Sequence, residues 1–217
     1  MEKKLSFKIR QESIEMFFPK FRIKNKLHII KILFEACRYI LFEDLTNKLE
    51  ENMLILNVDK MSRLFFISDN KTYSIHFPFT INISPIERKI YYKNILPIDA
   101  RLISDIISII HEPKFYSEDY FDFAESFSDI DDIYLGKTWP LLKDLLIFED
   151  GYLRLDRDLD TFLKAKAEGK EHMHPENHID IFYTSGNTFK IGLTKNVKHK
   201  FFIDLLNVKT DCIYLKY

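Results

Sequence analysis

The sequence is poor in cysteine, in glycine and in long apolar runs. Its 217 residues include 2 Cys and 5 Gly, and two cysteines cannot build a disulfide framework or a four-thiolate metal site. Cys37 falls in an apolar helical pattern and Cys212 in a strand-like one, so we expect two buried free thiols. No stretch approaches the roughly 18 apolar residues of a membrane span, and the first residues lack the apolar core of a signal peptide. We therefore expect a cytoplasmic protein with no membrane partner.

A strong excess of charge of one sign is also missing. Lys and Arg total 32 against 33 Asp and Glu, so the formal net charge is −1. This balance excludes the general attraction to nucleic acid that a basic protein has. The patterns GxxxxGK[ST], GxGxxG and GxSxG are absent as well, so the sequence gives no support to a phosphate-binding loop, a dinucleotide site or a nucleophile elbow.

Hydrophobic patterns predict an α+β fold with mostly antiparallel sheets packed with amphipathic helices. Apolar residues at helical spacing over 27–42 predict a core helix in which Leu33, Phe34 and Cys37 face inward. Short apolar and aromatic runs then predict a meander of antiparallel strands at 53–58, 63–68 and 73–79. Pro97 suits the first position of a further helix.

The last third of the chain predicts a second sheet or an extension of the first. The predicted elements are strands at 152–156, 179–183 and 188–193, a polar excursion at 161–170, a helix at 197–206 and a closing strand at 211–217. No repeat or linker interrupts the chain. We expect a single compact domain over 1–217, with a subdivision into 1–150 (helix and meander) and 151–217 (C-terminal sheet and helix).

Charges are locally segregated even though they balance overall. Residues 112–132 carry eight acidic groups and one Lys, interleaved with aromatic residues at helical spacing, whereas residues 1–31 carry nine Lys or Arg and three Glu. The acidic segment fits a solvated helix face, a docking surface for a basic partner, or a segment that pairs with the basic one.

The segment from Gly151 to Leu193 holds the residues best suited to chemistry. In its predicted strands the odd positions are apolar, and alternate side chains of a strand face opposite sides of a sheet. The even positions therefore share the face opposite the core. If the strands are neighbours, these positions form one polar patch of five residues: Arg154, Asp156, His178, Asp180 and Lys190.

This patch has the parts for acid–base chemistry on a phosphodiester or an ester. A carboxylate beside His178 would fix its tautomer and raise its basicity, while Arg154 or Lys190 would stabilise developing negative charge. The residues favour a structural interpretation over this one, as ion pairs and hydrogen bonds on a half-exposed sheet face. Both interpretations remain open from the sequence.

A metal site is a third interpretation. The candidate ligands are His172, His174 and His178, with Asp156 or Asp180. Imidazole and carboxylate suit zinc, manganese or iron. The HxHxxxH spacing is not an HExxH helix, because Pro175 disfavours the helical conformation and removes a backbone donor. The sequence leaves the metal and any other cofactor unknown, and His172 and His174 also fit loop positions.

The same residues carry a resemblance to a known family. Tyr152-x-Arg154-x-Asp156, a polar insertion and His174-Pro175-x-x-His178-x-Asp180 resemble an uncharacterised bacterial family, a domain of unknown function encoded near restriction or phage-defence loci. The resemblance covers the last third of the chain. A looser similarity is to small toxins of toxin–antitoxin pairs, which carry an Arg-Tyr-Asp-like strand where this chain has Arg154-Leu155-Asp156. The resemblance implies a defence role and supplies no activity.

Two functions follow as expectations. The first is a cytosolic bacterial accessory protein of a phage-defence or toxin–antitoxin system, which binds a protein partner encoded nearby or a nucleic acid. The second is a small nuclease or other phosphodiester hydrolase, with His178 as general base, Asp156 or Asp180 orienting it, and Arg154 and Lys190 contacting phosphate. Whether the protein is an enzyme stays open from the sequence. A structure in which His178, Asp156 and Arg154 converge at an open cleft favours the enzyme, and a filled face favours the binder.

Overall fold

The computed structural model describes residues 4–20, 23, 25–48, 50–116, 133–134, 136–182 and 188–214. Within these ranges the fold is α+β, as the sequence predicts, with two antiparallel sheets. Most of the acidic segment 112–132, with its predicted helix and docking surface, lies outside the described residues, and so does the connection 183–187 between two of the predicted strands. No helix in the described ranges is long and apolar enough to cross a bilayer.

Ten strands and six α-helices make up the described fold. The strands are β1 Lys4–Lys8, β2 Met53–Asn57, β3 Arg63–Ile67, β4 Lys71–His76, β5 Thr80–Ile83, β6 Arg88–Tyr92, β7 Leu96–Pro97, β8 Leu153–Arg157, β9 Asn177–Phe182 and β10 Thr188–Gly192. The helices are α1 Ile14–Phe17, α2 Lys26–Phe42, α3 Ala100–His111, α4 Thr138–Ile147, α5 Leu159–Ala167 and α6 His199–Leu205.

The chain divides into two compact units. Unit 1 comprises Met1–Phe18, Leu45–Phe77 and Asp150–Tyr217, and unit 2 comprises Pro19–Asp44 and Pro78–Glu149. The chain crosses between the units four times, and the last crossing falls one residue before the subdivision predicted after residue 150. Strand pairing between distant segments builds unit 1, which a reading along the chain does not reveal.

Unit 1 is built on a seven-stranded antiparallel sheet. Its strand order is β1-β2-β3-β4-β8-β9-β10, so the predicted meander is joined edge to edge with the three C-terminal strands. One face forms a hydrophobic core that includes Phe65, Leu155 and Ile179, and Phe202 of α6 packs against it. The side chains at the odd positions of β8 and β9 lie on this face, as the alternation predicts.

The prediction that the first two C-terminal strands are neighbours is confirmed. β8 pairs with β9, and Leu155 lies opposite Ile179. Both residues are buried, while Leu153 and Ile181, which we also expected to be buried, are only partly so. β10 pairs with β9 on the outer side.

Three details of the prediction are wrong. The polar excursion contains α5, whose N-terminus is capped by the Asp158 carboxylate accepting from the Thr161 N–H. This helix buries no residue, so the sequence has no apolar stripe there that would predict a helix. Pro97 lies in β7, and α3 begins at Ala100 behind an Asp99 cap. The third error is at the C-terminus, where residues 211–214 form no strand and Cys212 is exposed.

Unit 2 contains the predicted core helix. α2 begins behind Asn25, whose side chain accepts from the His28 N–H. Leu33, Phe34 and Cys37 are buried, as predicted, and the Cys37 thiol is free. The three-stranded sheet β5-β6-β7 and the helices α3 and α4 complete this unit.

Candidate active site

The strand register brings all five predicted site residues together on one face of the seven-stranded sheet of unit 1. Across β4, β8, β9 and β10 one row reads Tyr73, Arg154, Asp180 and Lys190, and the next reads Lys71, Asp156, His178 and Gly192. We call Arg154, Asp156, His178, Asp180 and Lys190 the charged cluster. The parity argument therefore predicted its composition correctly.

Arg154 holds the two carboxylates of the cluster together. Its Nε donates to Oδ2 of Asp156 at 2.5 Å and its Nη2 donates to Oδ2 of Asp180 at 2.6 Å. The guanidinium also lies over the Phe182 ring, 5.5 Å from its centroid. Charge-assisted bonds to two separate strands make Arg154 the centre of the arrangement.

The neighbours of His178 define its tautomer. Nε2 lies 2.9 Å from the Lys190 Nζ and Nδ1 lies 2.8 Å from the Pro175 carbonyl oxygen. An ammonium can only donate and a carbonyl can only accept. Nδ1 therefore carries the proton and donates to Pro175, and Nε2 is a lone pair that accepts from Lys190. A backbone carbonyl orients the ring, where we expected a carboxylate to do so.

Both carboxylates stand close to the Nε2 lone pair without binding it. Nε2 is 3.7 Å from Oδ1 of Asp180 and 3.9 Å from Oδ2 of Asp156. The Lys190 ammonium lies 3.2 Å from the same Oδ1. The lone pair thus faces a small space bounded by two negative groups and one positive group.

The cluster is largely withdrawn from water, which shifts its pKa values. His178 and Asp180 are each 1 % exposed, while the Lys190 side chain is 31 % exposed. Burial, helped by the Lys190 charge, lowers the pKa of His178. Burial also raises the pKa of Asp156, against the opposing effect of the Arg154 guanidinium. His178 is therefore neutral near pH 7 and able to accept a proton.

A short connection covers the His178 end of the cluster. Between α5 and β9 the chain forms a 3-10 turn at Glu171–Met173, and Pro175 then lies against Gly192 of β10. A Cβ at Gly192 would come within 2.9 Å of the Pro175 Cγ, so glycine there allows the close approach. Pro175 is in this way held where its carbonyl meets the His178 ring.

Only part of the predicted metal ligand set converges. Asp156, His178 and Asp180 offer ligand atoms within 4.8 Å of one another, and within the described ranges His172 and His174 are not in this group. His172 is exposed. His174 packs edge-on against the His178 ring at 5.1 Å and its Nε2 is 3.8 Å from Asp158.

Sequence reasoning missed Lys71, and it named Tyr152 and Pro175 in the motif without a role at the site. Lys71 pairs in register with Asp156, and burial together with the Arg154 charge lowers its pKa. Tyr152 precedes β8, two residues before Arg154, and burial raises its pKa to about 12. The alternation of β4 marks Lys71 and Tyr73 as sharing a face, but only the β4–β8 register shows that this face is the one carrying Arg154.

A cavity of about 430 Å³ adjoins the Asp156 side of the cluster. Besides Asp156 it is lined by the basic residues Lys71, Arg157, Lys198 and His199 and by the acidic residues Glu50, Glu51 and Asp69. The cavity volume suits a ligand of the size of a nucleotide. Of the five cluster residues, Asp156 alone lines this cavity, and His178 and Asp180 are each 1 % exposed, so the face around His178 is filled.

Comparison of the chain with known protein families, with curated proteins and with solved structures gives no match. The geometry of the charged cluster is therefore the ground on which a function can be argued.

Proposed function

We propose that unit 1 hydrolyses a phosphate ester at the charged cluster, with a phosphodiester as the substrate class. The observation that carries the proposal is the tautomer of His178, whose Nδ1–H is held by Pro175 while the Nε2 lone pair faces Lys190 and two carboxylates. A neutral imidazole with its lone pair fixed at Nε2 is the form that a general base requires, and Lys190 must release this lone pair before it can accept a proton. The lowered pKa of His178 keeps it in this form near neutral pH.

The roles of the other residues follow from their positions. Nε2 takes a proton from water as the water oxygen attacks phosphorus; the bond from phosphorus to the ester oxygen breaks, and the imidazolium returns this proton to the departing alcohol. The carboxylates of Asp156 and Asp180, at 3.9 and 3.7 Å, stabilise the imidazolium that forms. Lys190 transfers its hydrogen bond from Nε2 to a phosphate oxygen, and Arg154 supplies a second positive charge.

The cavity touches one member of the charged cluster. Asp156 lines it together with the cations of Lys71, Arg157 and Lys198, while the other four cluster residues do not. The carboxylates of Asp156, Glu50, Glu51 and Asp69 line the same walls, so the cavity has no excess of positive charge. The proposal therefore brings the substrate to His178 from the Lys190 side, where the side chain is 31 % exposed.

A second candidate is the partner-binding role expected from the sequence, in a phage-defence or toxin–antitoxin system. Two observations favour it. The face around His178 is filled, and in the edge strand β10 Phe189 is 54 % exposed while, among the described residues, no strand pairs on the outer side. An open strand edge can accept a strand from a partner protein. The product of a neighbouring gene is the partner to test, by size-exclusion chromatography with wild-type protein and with Phe189→Asp.

The hydrolytic function is tested with bis(p-nitrophenyl) phosphate, single-stranded RNA and single- and double-stranded DNA as substrates. We expect the rate per folded molecule to fall at least about a hundredfold in His178→Gln. His172→Gln is the matched control, since His172 is exposed and outside the cluster. An unchanged rate in a folded His178→Gln protein, or no turnover of any of these substrates by the wild type, contradicts the proposal.

A further inference from the structure

We propose that Asp156, His178 and Asp180 form a binding site for a divalent transition-metal ion, which takes the place that the Lys190 ammonium holds. The ligands are Nε2 of His178, Oδ1 of Asp180 and a carboxylate oxygen of Asp156. One imidazole and two carboxylates suit zinc, manganese or iron. The inference goes beyond the hydrolytic function and does not require it.

His178 is already arranged as a metal ligand. Metal-binding histidines usually donate the other ring N–H to a carbonyl or a carboxylate, which fixes the ring and directs the free lone pair at the ion. The Pro175 carbonyl does this at Nδ1, at 2.8 Å. No rearrangement of the ring is needed before an ion binds.

The spacing of the ligand atoms is close to that of a metal site. Nε2 lies 3.7 Å from the Asp180 Oδ1 and 3.9 Å from the Asp156 Oδ2. In a tetrahedral site with bonds of about 2.1 Å, neighbouring ligand atoms are about 3.4 Å apart. A contraction of a few tenths of an ångström therefore suits each carboxylate to His178, while the full ligand set, which lies within 4.8 Å, needs a larger shift between the two carboxylates.

Asp180 and His178 together hold a cation between them. Asp180 is 1 % exposed, and its Oδ2 is bound by Arg154. Among the described residues its Oδ1 accepts no hydrogen bond but has the Lys190 Nζ at 3.2 Å, and the same Nζ lies 2.9 Å from Nε2 of His178. This point therefore already holds a positive charge, and a buried carboxylate oxygen without a hydrogen bond is a ligand atom that a metal ion can use there.

The charge balance explains why Lys190 and the ion exclude each other. With His178 neutral, two carboxylates and Arg154 leave the cluster with a net charge of −1, which the ammonium of Lys190 neutralises. Lys190 stands on the edge strand with its side chain 31 % exposed, so its flexible stem can carry the ammonium out into water. A divalent ion then replaces it against the same lone pair and the same carboxylate.

The test measures metal binding directly, on the full chain. Zinc binding is followed by isothermal titration calorimetry and cobalt binding by visible absorption, in a Cys212→Ser background because the Cys212 thiol is exposed. We expect Lys190→Ala to bind at least about tenfold more tightly than the protein with Lys190, since a competing charge is gone. Lys170→Ala is the matched control, because Lys170 is exposed and pairs only locally with Glu168.

Loss of the ligands must remove the site. In the Lys190→Ala background, His178→Gln is expected to abolish the one-to-one binding and the cobalt spectrum, and Asp180→Asn to weaken binding at least about tenfold. Circular dichroism checks that each variant is folded. Equal affinities with and without Lys190, or binding that survives His178→Gln in a folded protein, overturn the proposal.

The metal site and the proposed hydrolysis can be told apart. Because Nε2 cannot hold a metal and a proton together, we expect zinc to inhibit the hydrolysis. Metal binding by a protein that hydrolyses none of the substrates would refute only the proposed function.

Discussion

The Lys190 ammonium on the edge strand β10 donates to the Nε2 lone pair of His178 on the neighbouring strand β9, at 2.9 Å. A cation held against a buried imidazole makes protonation of the ring unfavourable. The contact therefore keeps His178 neutral and at the same time secures the edge strand to the site.

The first prediction is a loss of stability on acidification that depends on His178. Its pKa is lowered in the folded protein, so the unfolded chain binds more protons once the pH falls below about 6.5. The free energy of unfolding then falls, by up to about 1.4 kcal/mol per pH unit for this group. Urea denaturation between pH 5 and 8 should show that the free energy of unfolding changes less with pH in His178→Gln than in the wild type.

His28 and His199 also have lowered pKa values and contribute to the pH dependence of both proteins. The difference between the wild type and His178→Gln therefore isolates the contribution of His178. Parallel profiles would contradict the prediction.

The second prediction contrasts two arginines of β8. Arg154→Met leaves two carboxylates without their cation while keeping most of the apolar stem, and we expect it to cost about 3–5 kcal/mol. Arg157→Met removes a half-exposed partner of Glu176 and is expected to cost less than about 1 kcal/mol. Equilibrium unfolding in urea measures both. Similar losses for the two variants would show that the buried ion pairs of Arg154 contribute no more to the free energy of unfolding than the half-exposed pair of Arg157.

The third prediction concerns the contact between Gly192 and Pro175. In Gly192→Ala the new methyl group meets the proline ring at 2.9 Å, so Pro175 must shift and its carbonyl must move away from His178. We expect a loss of about 1–3 kcal/mol and a displaced ring ¹⁵N resonance of His178. The exposed Lys195→Ala, just beyond the strand, should leave both unchanged. An unperturbed ring resonance in Gly192→Ala would show that Pro175 does not control the tautomer.

The fourth prediction tests the core helix of unit 2. Leu33 is 4 % exposed, so Leu33→Ala should leave a cavity and cost about 2–5 kcal/mol. Ile147 of α4 is 75 % exposed, and Ile147→Ala should change the free energy of unfolding by less than about 0.5 kcal/mol. A loss below half a kilocalorie for Leu33→Ala would mean that this helix face is not packed.

Alternation along strands predicted which side chains of the charged cluster share a face. Leu155 and Ile179 define one buried face, and the period of two then assigns Arg154, Asp156 and His178 to the other face. That these residues meet depended on the further expectation that the strands are neighbours. The same argument identified Lys190, because β10 has the same alternation. Local periodicity is strong where one face of a strand is buried and the other is charged.

Contacts that depend on pairing or on irregular backbone could not be predicted. Lys71 joins the site through the β4–β8 register, which links positions more than 80 residues apart. The tautomer of His178 depends on a carbonyl in a turn, and α5 was missed because its stability does not rest on an apolar stripe. Residue type and spacing carry no information on these relationships.

The backbone hydrogen bond from His76 N to Asp150 O, at 2.8 Å, has a consequence for the closure entropy of the chain. It joins the two ends of the long excursion 78–149, which leaves and re-enters unit 1 at adjacent positions beside the β4–β8 pair. Doubling the length of such an excursion adds only about 0.6 kcal/mol of closure entropy. The length of the excursion therefore has little effect on the entropy of closing it, and the pairing of Tyr73 with Arg154 beside its ends does not depend on that length.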